Sequence, residues 1–139
     1  MSVMIHEFFP EIYPFRLWVS IFDNNDEESD EGAYNKRYTA GREGNDMKPL
    51  KLGESDGVTY FVTEREGLMK RGVLIVFNGK QGASPQNIAH EATHAARLIW
   101  DFLGEDVTGE EADAYLVGWI VKCVGEALSD DNDEYRKTN

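Results

Sequence analysis

Two histidines four residues apart are the part of this chain best suited to chemistry. His90 and His94 enclose Glu91 in the pattern H-E-x-x-H, and the chain has only three histidines in all. On a helix, residues four apart lie above one another on one face, so two imidazoles can bind one Zn²⁺ together. The metal would acidify a water molecule, and Glu91 would take its proton. The pattern therefore predicts a zinc site with a general base beside it.

The surrounding sequence predicts the helix that such a site needs. Ser84 is a favoured N-cap, Pro85 is favoured at the first helical position, and Gly104 is typical of a helix end. We therefore expect a helix from residue 85 to residue 102 or 103. Its apolar residues share one face, and the two histidines lie on the opposite side. The packing of this helix therefore does not explain the histidines.

A catalytic zinc site usually has three protein ligands, so one more is needed. A second helix is expected from Thr108, because Thr108 to Glu111 fits the capping box T-x-x-E and apolar residues then recur at helical spacing. Glu111 borders that apolar stripe and is the best third ligand, although it could serve only as a cap. Asp113 is expected to point away from the stripe. Tyr115 could donate a hydrogen bond to the reacting oxyanion, or it could be core.

The residues before the two helices predict a small, mostly antiparallel sheet, and hence an α+β fold. Residues 12–22 alternate between two sets of side chains, which predicts a strand, and Pro14 near its start suggests either a sheet edge or the entry to the strand. Segments 58–63 and 72–77 are rich in β-branched and aromatic residues and predict two further strands. Residues 33–40 could form a short strand. The acidic block 23–32 is expected to be a loop, and the acidic segment 129–139 a mobile tail.

Composition limits the classes of function. The length of 139 residues and the absence of a linker predict a single domain over residues 1–128. The single cysteine, Cys123, excludes a disulfide framework and suggests a reducing, cytoplasmic setting. A net charge of −12 argues against nucleic acid as a partner, and no apolar run has the length of a membrane span. The oligomeric state is left open.

The motif and the helix after it resemble a known group of proteins. Segments 90–96 and 111–119 are similar to the gluzincin branch of the zincin metallopeptidases, and more narrowly to small zincin-like proteins of bacteriophages and prophages. The resemblance implies a zincin-like fold, a peptide or protein substrate, and Zn²⁺ held by His90, His94 and Glu111, with Glu91 as the general base. It also implies an antiparallel strand above the active helix that receives the substrate, for which segment 72–77 is the candidate.

The resemblance does not extend to two other zincin branches. Arg97 and Trp100 stand where the metzincin motif has glycine and histidine, and one cysteine cannot build the zinc ribbon of another branch. Two alternative functions stay open. The chain could be a non-catalytic interaction protein on a zincin scaffold, or an acidic decoy that binds a basic surface of a host protein, as the charge of −12 would allow.

Overall fold

The computed structural model describes residues 4–10, 15–22, 27–41, 48–67, 70–104 and 110–138, with the backbone alone at 27–30, 110 and 130–138. Five strands form one sheet in the order β1-β2-β5-β4-β3. The described residues also form three α-helices, so the predicted α+β class is confirmed. The two predicted helices follow the last strand, and a third helix, earlier in the chain, was not predicted. The elements are β1 Ile5–Phe8, β2 Arg16–Phe22, α1 Glu27–Arg37, β3 Tyr38–Ala40, β4 Gly57–Glu64, β5 Arg71–Asn78, α2 Pro85–Leu103 and α3 Glu110–Thr138.

The sheet is mixed, because β2 and β5 run parallel while the three other pairs are antiparallel. β2 lies between β1 and β5, so it is an interior strand, and of the two alternatives suggested by Pro14 the sheet edge is wrong. Pro14 itself lies outside the described residues. β5 lies between β2 and β4, and hydrogen bonds to these neighbours occupy both of its edges. Segment 72–77 therefore cannot receive a substrate strand, which corrects that expectation.

The alternating side chains of β2 fill two separate cores, one on each face of the sheet. Phe15, Leu17 and Val19 pack with the apolar faces of α2 and α3. Trp18 and Phe22 point to the other face, where they pack with a group of buried residues from α1, β3, β4, β5 and the segment before β4. Both faces of β2 are therefore covered, which suits its nearly continuous apolar sequence.

The acidic block is not a loop over its whole length, because residues 27–37 form α1. The predicted strand at 33–40 is correspondingly reduced to β3, which covers only Tyr38–Ala40. Tyr34 of α1 is fully buried in the second core, and its hydroxyl shares a hydrogen bond with the hydroxyl of Ser20 in β2. Tertiary packing thus stabilises a helix that local propensity alone does not favour. Residues 23–26 lie outside the described part.

The helix that carries the histidines has the predicted bounds. The Ser84 hydroxyl accepts a hydrogen bond from the backbone N–H of Asn87 at 3.2 Å, Pro85 begins α2, and Gly104 ends it in the left-handed conformation with φ of 72°. This cap geometry is what the sequence predicted. Ala92, Ala95, Ala96 and Ile99 form its buried face against β4 and β5.

The second predicted helix, α3, packs against α2 and β2. Its predicted start at Thr108 lies outside the described residues, because the structure describes this helix from residue 110. The helix continues to Thr138, so the expected mobile tail has a helical backbone as far as residue 138. A packed helix extends readily into a polar sequence without glycine or proline, since propagation is easier than nucleation. None of the helices in the described ranges has the length and apolar content needed to cross a membrane.

Candidate metal centre

The two histidines of the motif converge on one point in space. The Nε2 atoms of His90 and His94 are 3.1 Å apart, and the two rings meet edge to face with centroids separated by 4.6 Å. Both side chains are exposed on the same face of α2. The structure therefore brings together the two predicted histidine ligands and leaves them accessible to an ion from solvent.

The separation of the two nitrogens fits a zinc ion. Zinc–nitrogen bonds are about 2.0–2.1 Å long, so two imidazole nitrogens at a tetrahedral angle would be about 3.3 Å apart. The Nε2–Nε2 distance of 3.1 Å corresponds to an angle of about 98° at such an ion, which is a modest departure from tetrahedral. A small rotation of either ring would remove the difference, so the pair suits Zn²⁺ as two of its ligands.

Glu91 lies beside the pair but is held by a different element. Its side chain is only 6% exposed, and its Oε1 accepts a hydrogen bond of 2.7 Å from the hydroxyl of Thr59 in β4. Gly57 of the same strand provides the space, because a Cβ atom there would lie 3.1 Å from the Cγ of Glu91. β4 therefore fixes one carboxylate oxygen, and the other is left for chemistry. No local pattern in the sequence points to Thr59, which is 32 residues away along the chain.

An open pocket of about 570 Å³ lies between α2 and the first residues of β4. Six of the residues that line it come from α2 and three from β4: His90, Glu91, His94, Arg97, Leu98 and Asp101, and Gly57, Val58 and Thr59. The helical spacing of 90, 94, 97 and 101 puts these four residues on one stripe of α2. The two predicted histidine ligands and the predicted base thus share a single open cavity.

The structure does not bring Glu111 or Tyr115 into this pocket. Glu111 is exposed, Tyr115 is 76% exposed, and neither lines the cavity. The reason is the orientation of α3, whose buried face is set by Leu116, Ile120 and the residues that follow at helical spacing. Positions 111 and 115 precede Leu116 by five residues and one residue, which turns both of them away from that face.

Asp113 has the opposite orientation to the one expected from the helical wheel. Its Oδ1 accepts a hydrogen bond of 3.0 Å from the indole N–H of Trp100, so this residue joins α3 to α2. Cys123 is buried in the core and does not line the pocket, and burial raises the pKa of its thiol to about 12. In the described ranges, no group of three or more His, Cys, Asp and Glu residues is arranged to hold a metal.

Comparison with known proteins adds no family assignment. No protein-family model, no curated protein and no solved structure matches this chain. The fold class is that of an α+β protein with a five-stranded mixed sheet, and the candidate site is an accessible histidine pair beside a buried carboxylate. This geometry is the evidence on which a function can be proposed.

Proposed function

We propose that this protein is a small zinc-dependent metallopeptidase that hydrolyses peptide bonds. The observation that carries the proposal is the 3.1 Å approach of the two histidine Nε2 atoms in the same cavity as the Glu91 carboxylate. Two imidazoles and a nearby acid are the groups that metal-assisted hydrolysis uses, and here one helix supplies all three. The cavity is open, which suits a peptide substrate whose chain extends beyond the pocket on both sides of the cleaved bond.

Each residue of the site has a distinct role in this proposal. His90 and His94 would hold Zn²⁺, which as a Lewis acid would make water a usable nucleophile near neutral pH. Glu91 would accept the proton of the attacking water at Oε2, the oxygen that Thr59 does not bind. As the C–N bond breaks, the same carboxyl group would return that proton to the leaving amine. Burial of Glu91 and the Thr59 hydrogen bond keep the base in one orientation throughout.

The first residues of β4 offer a place for the substrate backbone. β3 pairs only with residues 62–64 of β4, so among the described residues no strand covers the outer edge of 57–60. Backbone groups alternate along a strand, and since Asp56 accepts a hydrogen bond from Asn78 of β5, those of Gly57 and Thr59 point to the open edge. An extended peptide could add there as a further strand, directly beside the histidine pair. In this proposal β4 would take the role that the resemblance to zincins implied for segment 72–77.

The third zinc ligand is a separate question. Asp101 lines the pocket, but it lies seven residues beyond His94, about 10 Å along the helix axis, which is too far for both to bind one ion. Glu111 is the ligand that the resemblance implies, and it would require a reorientation of the first turn of α3. We propose Glu111 as the third ligand, and zinc affinity tests this directly. If Glu111 is a ligand, Glu111→Gln should weaken zinc binding about 10-fold or more, whereas the control Asp113→Asn should leave it unchanged.

The proposal is tested by zinc content and cleavage together. Purified protein is expected to bind about one Zn²⁺ per chain, and His90→Ala and His94→Ala are expected to lose it. His6→Ala is the matched control, because His6 lies in β1 outside the pocket and its loss should leave the zinc content unchanged. Glu91→Gln should keep the metal and lose the cleavage of a mixed peptide library followed by mass spectrometry.

Three outcomes separate the possible functions. Zinc in the wild-type protein together with cleavage that depends on Glu91 would support the peptidase. Zinc without any cleavage would favour a binding protein that uses the same pocket. A wild-type protein that takes up no zinc, or one whose zinc survives both histidine substitutions, would refute the proposed metal centre.

A further inference from the structure

Arg97 lines the pocket that contains the histidines. It lies three residues beyond His94, on the same stripe of α2, and among the described residues no Lys or other Arg lines the cavity. Its side chain is exposed, and among the described residues no hydrogen bond or ion pair involves its guanidinium. Arg97 is therefore available to a molecule that enters the pocket.

Two other arginines of the described part have partners, which Arg97 lacks among the described residues. Arg37 lies 3.6 Å from a carboxylate oxygen of Glu64, and Arg65 donates to the backbone carbonyl of Asn35. The chain carries 26 acidic and 14 basic residues, so an arginine without an acidic partner is unexpected on composition alone. A guanidinium presents a planar pair of N–H donors that matches the two oxygens of a carboxylate. A carboxylate is therefore the group that Arg97 would bind best.

The position of Arg97 relates this carboxylate to the proposed scissile bond. Three residues of helix correspond to about 4.5 Å along the axis, and one residue of an extended peptide spans about 3.3 Å. An arginine side chain one turn beyond His94 can thus reach the substrate residue one or two positions from the bond at the histidine pair.

We propose that Arg97 makes this pocket selective for peptides with a carboxylate one or two residues from the scissile bond. This inference rests on the proposed peptidase function and adds a substrate class to it. The negative net charge of −12 repels acidic peptides in general, so one cation inside the cavity would determine where such a peptide is accepted. The carboxylate can belong to an Asp or Glu side chain or to the C-terminus of the peptide.

The test uses matched peptides that differ only in charge. The first arm compares peptides with Glu or Gln at the positions flanking the cleaved bond, and the second compares a free C-terminal carboxylate with a C-terminal amide. In the arm that holds the true ligand, we expect the wild-type protein to prefer the acid about 10-fold or more in kcat/KM. Arg97→Gln should reduce that ratio to about one, and Arg97→Glu should shift the preference towards Lys.

Arg71→Gln is the control, because Arg71 is exposed at the start of β5 and does not line the pocket. Its acid preference should equal that of the wild type, and circular dichroism should show that the three variants fold alike. The same peptide pairs are also titrated against Glu91→Gln protein, with and without zinc, and their dissociation constants are compared. This binding readout does not depend on turnover.

The two proposals fail in different ways. A wild-type protein that cleaves no peptide contradicts the proposed function, while the binding titrations still decide the role of Arg97. The role of Arg97 would be overturned if the wild-type protein cleaved and bound the acidic peptide and its neutral partner equally well in both arms. An acid preference that persists in Arg97→Gln would overturn it as well, even if cleavage itself is observed.

Discussion

The hydrogen bond between Thr59 and Glu91 is expected to stabilise the fold as well as orient the base. Thr59→Val keeps the shape of the side chain and removes the hydroxyl that lies 2.7 Å from Glu91 Oε1. A hydrogen bond to a charged group contributes about 1.5–3 kcal/mol, and Glu91 is 6% exposed, so water replaces the lost donor poorly. We expect the free energy of unfolding at neutral pH to fall by about 2 kcal/mol, with a melting temperature lower by about 6–10 °C.

The contribution can be isolated with a double-mutant cycle followed by urea unfolding. Thr59→Ser retains a hydroxyl and should lose less than about 1 kcal/mol. In a Glu91→Gln background the acceptor is neutral, and a neutral hydrogen bond contributes about 0.5–1.5 kcal/mol, so Thr59→Val should cost roughly half as much there. In a zinc-loaded protein that cleaves peptides, Thr59→Val should also lower kcat about 10-fold with the zinc content unchanged, and Thr59→Ser should restore it.

Two results would refute this account of the Thr59–Glu91 contact. One is a Thr59→Val protein as stable as the wild type to within about 0.5 kcal/mol, since the contact would then contribute nothing measurable. The other is an equal cost of Thr59→Val in the wild-type and Glu91→Gln backgrounds, because the effect would then come from packing and not from the charged acceptor.

Three further predictions follow from close contacts and from burial. Gly57→Ala places a Cβ 3.1 Å from the Cγ of Glu91, so zinc content should be unchanged while peptide cleavage falls; full activity would show that the site tolerates the displacement. Gly72→Ala places a Cβ 1.9 Å from a backbone oxygen of β2 and should destabilise the protein by about 3 kcal/mol or more in urea unfolding. Gly118 in α3 has open space where a Cβ would lie, so Gly118→Ala should stabilise the protein by about 0.5–1 kcal/mol. Burial raises the pKa of the Cys123 thiol to about 12, so the unfolded chain loses this proton first as the pH rises above about 9. The free energy of unfolding should therefore fall by up to about 1.4 kcal/mol per pH unit up to pH 12. Cys123→Ala should make this fall less steep, and an unchanged slope would contradict the burial of the thiol.

The sequence alone determined the bounds of α2 and the positions of β4 and β5, because these depend on residues that are close together along the chain. Ser84, Pro85 and Gly104 specify where α2 begins and ends, because caps act within one helical turn. The β-branched segments 58–63 and 72–77 correspond to β4 and β5, since such residues favour extended backbone. The four-residue spacing of His90 and His94 also determined that their rings would meet, because both positions lie on one helix.

Only the tertiary structure decided which distant residues meet at the site. The parallel pairing of β2 with β5 joins strands that are separated by α1, β3 and β4, and no local pattern specifies it. The contact of Glu91 with Thr59 depends on how α2 packs across β4, and the sequence of α2 does not specify that packing. The orientation of α3 likewise follows from its contacts with α2 and β2, which turn Asp113 inward and Glu111 outward. A sequence fixes the spacing of residues along an element, whereas the packing of elements fixes which of those residues face one another.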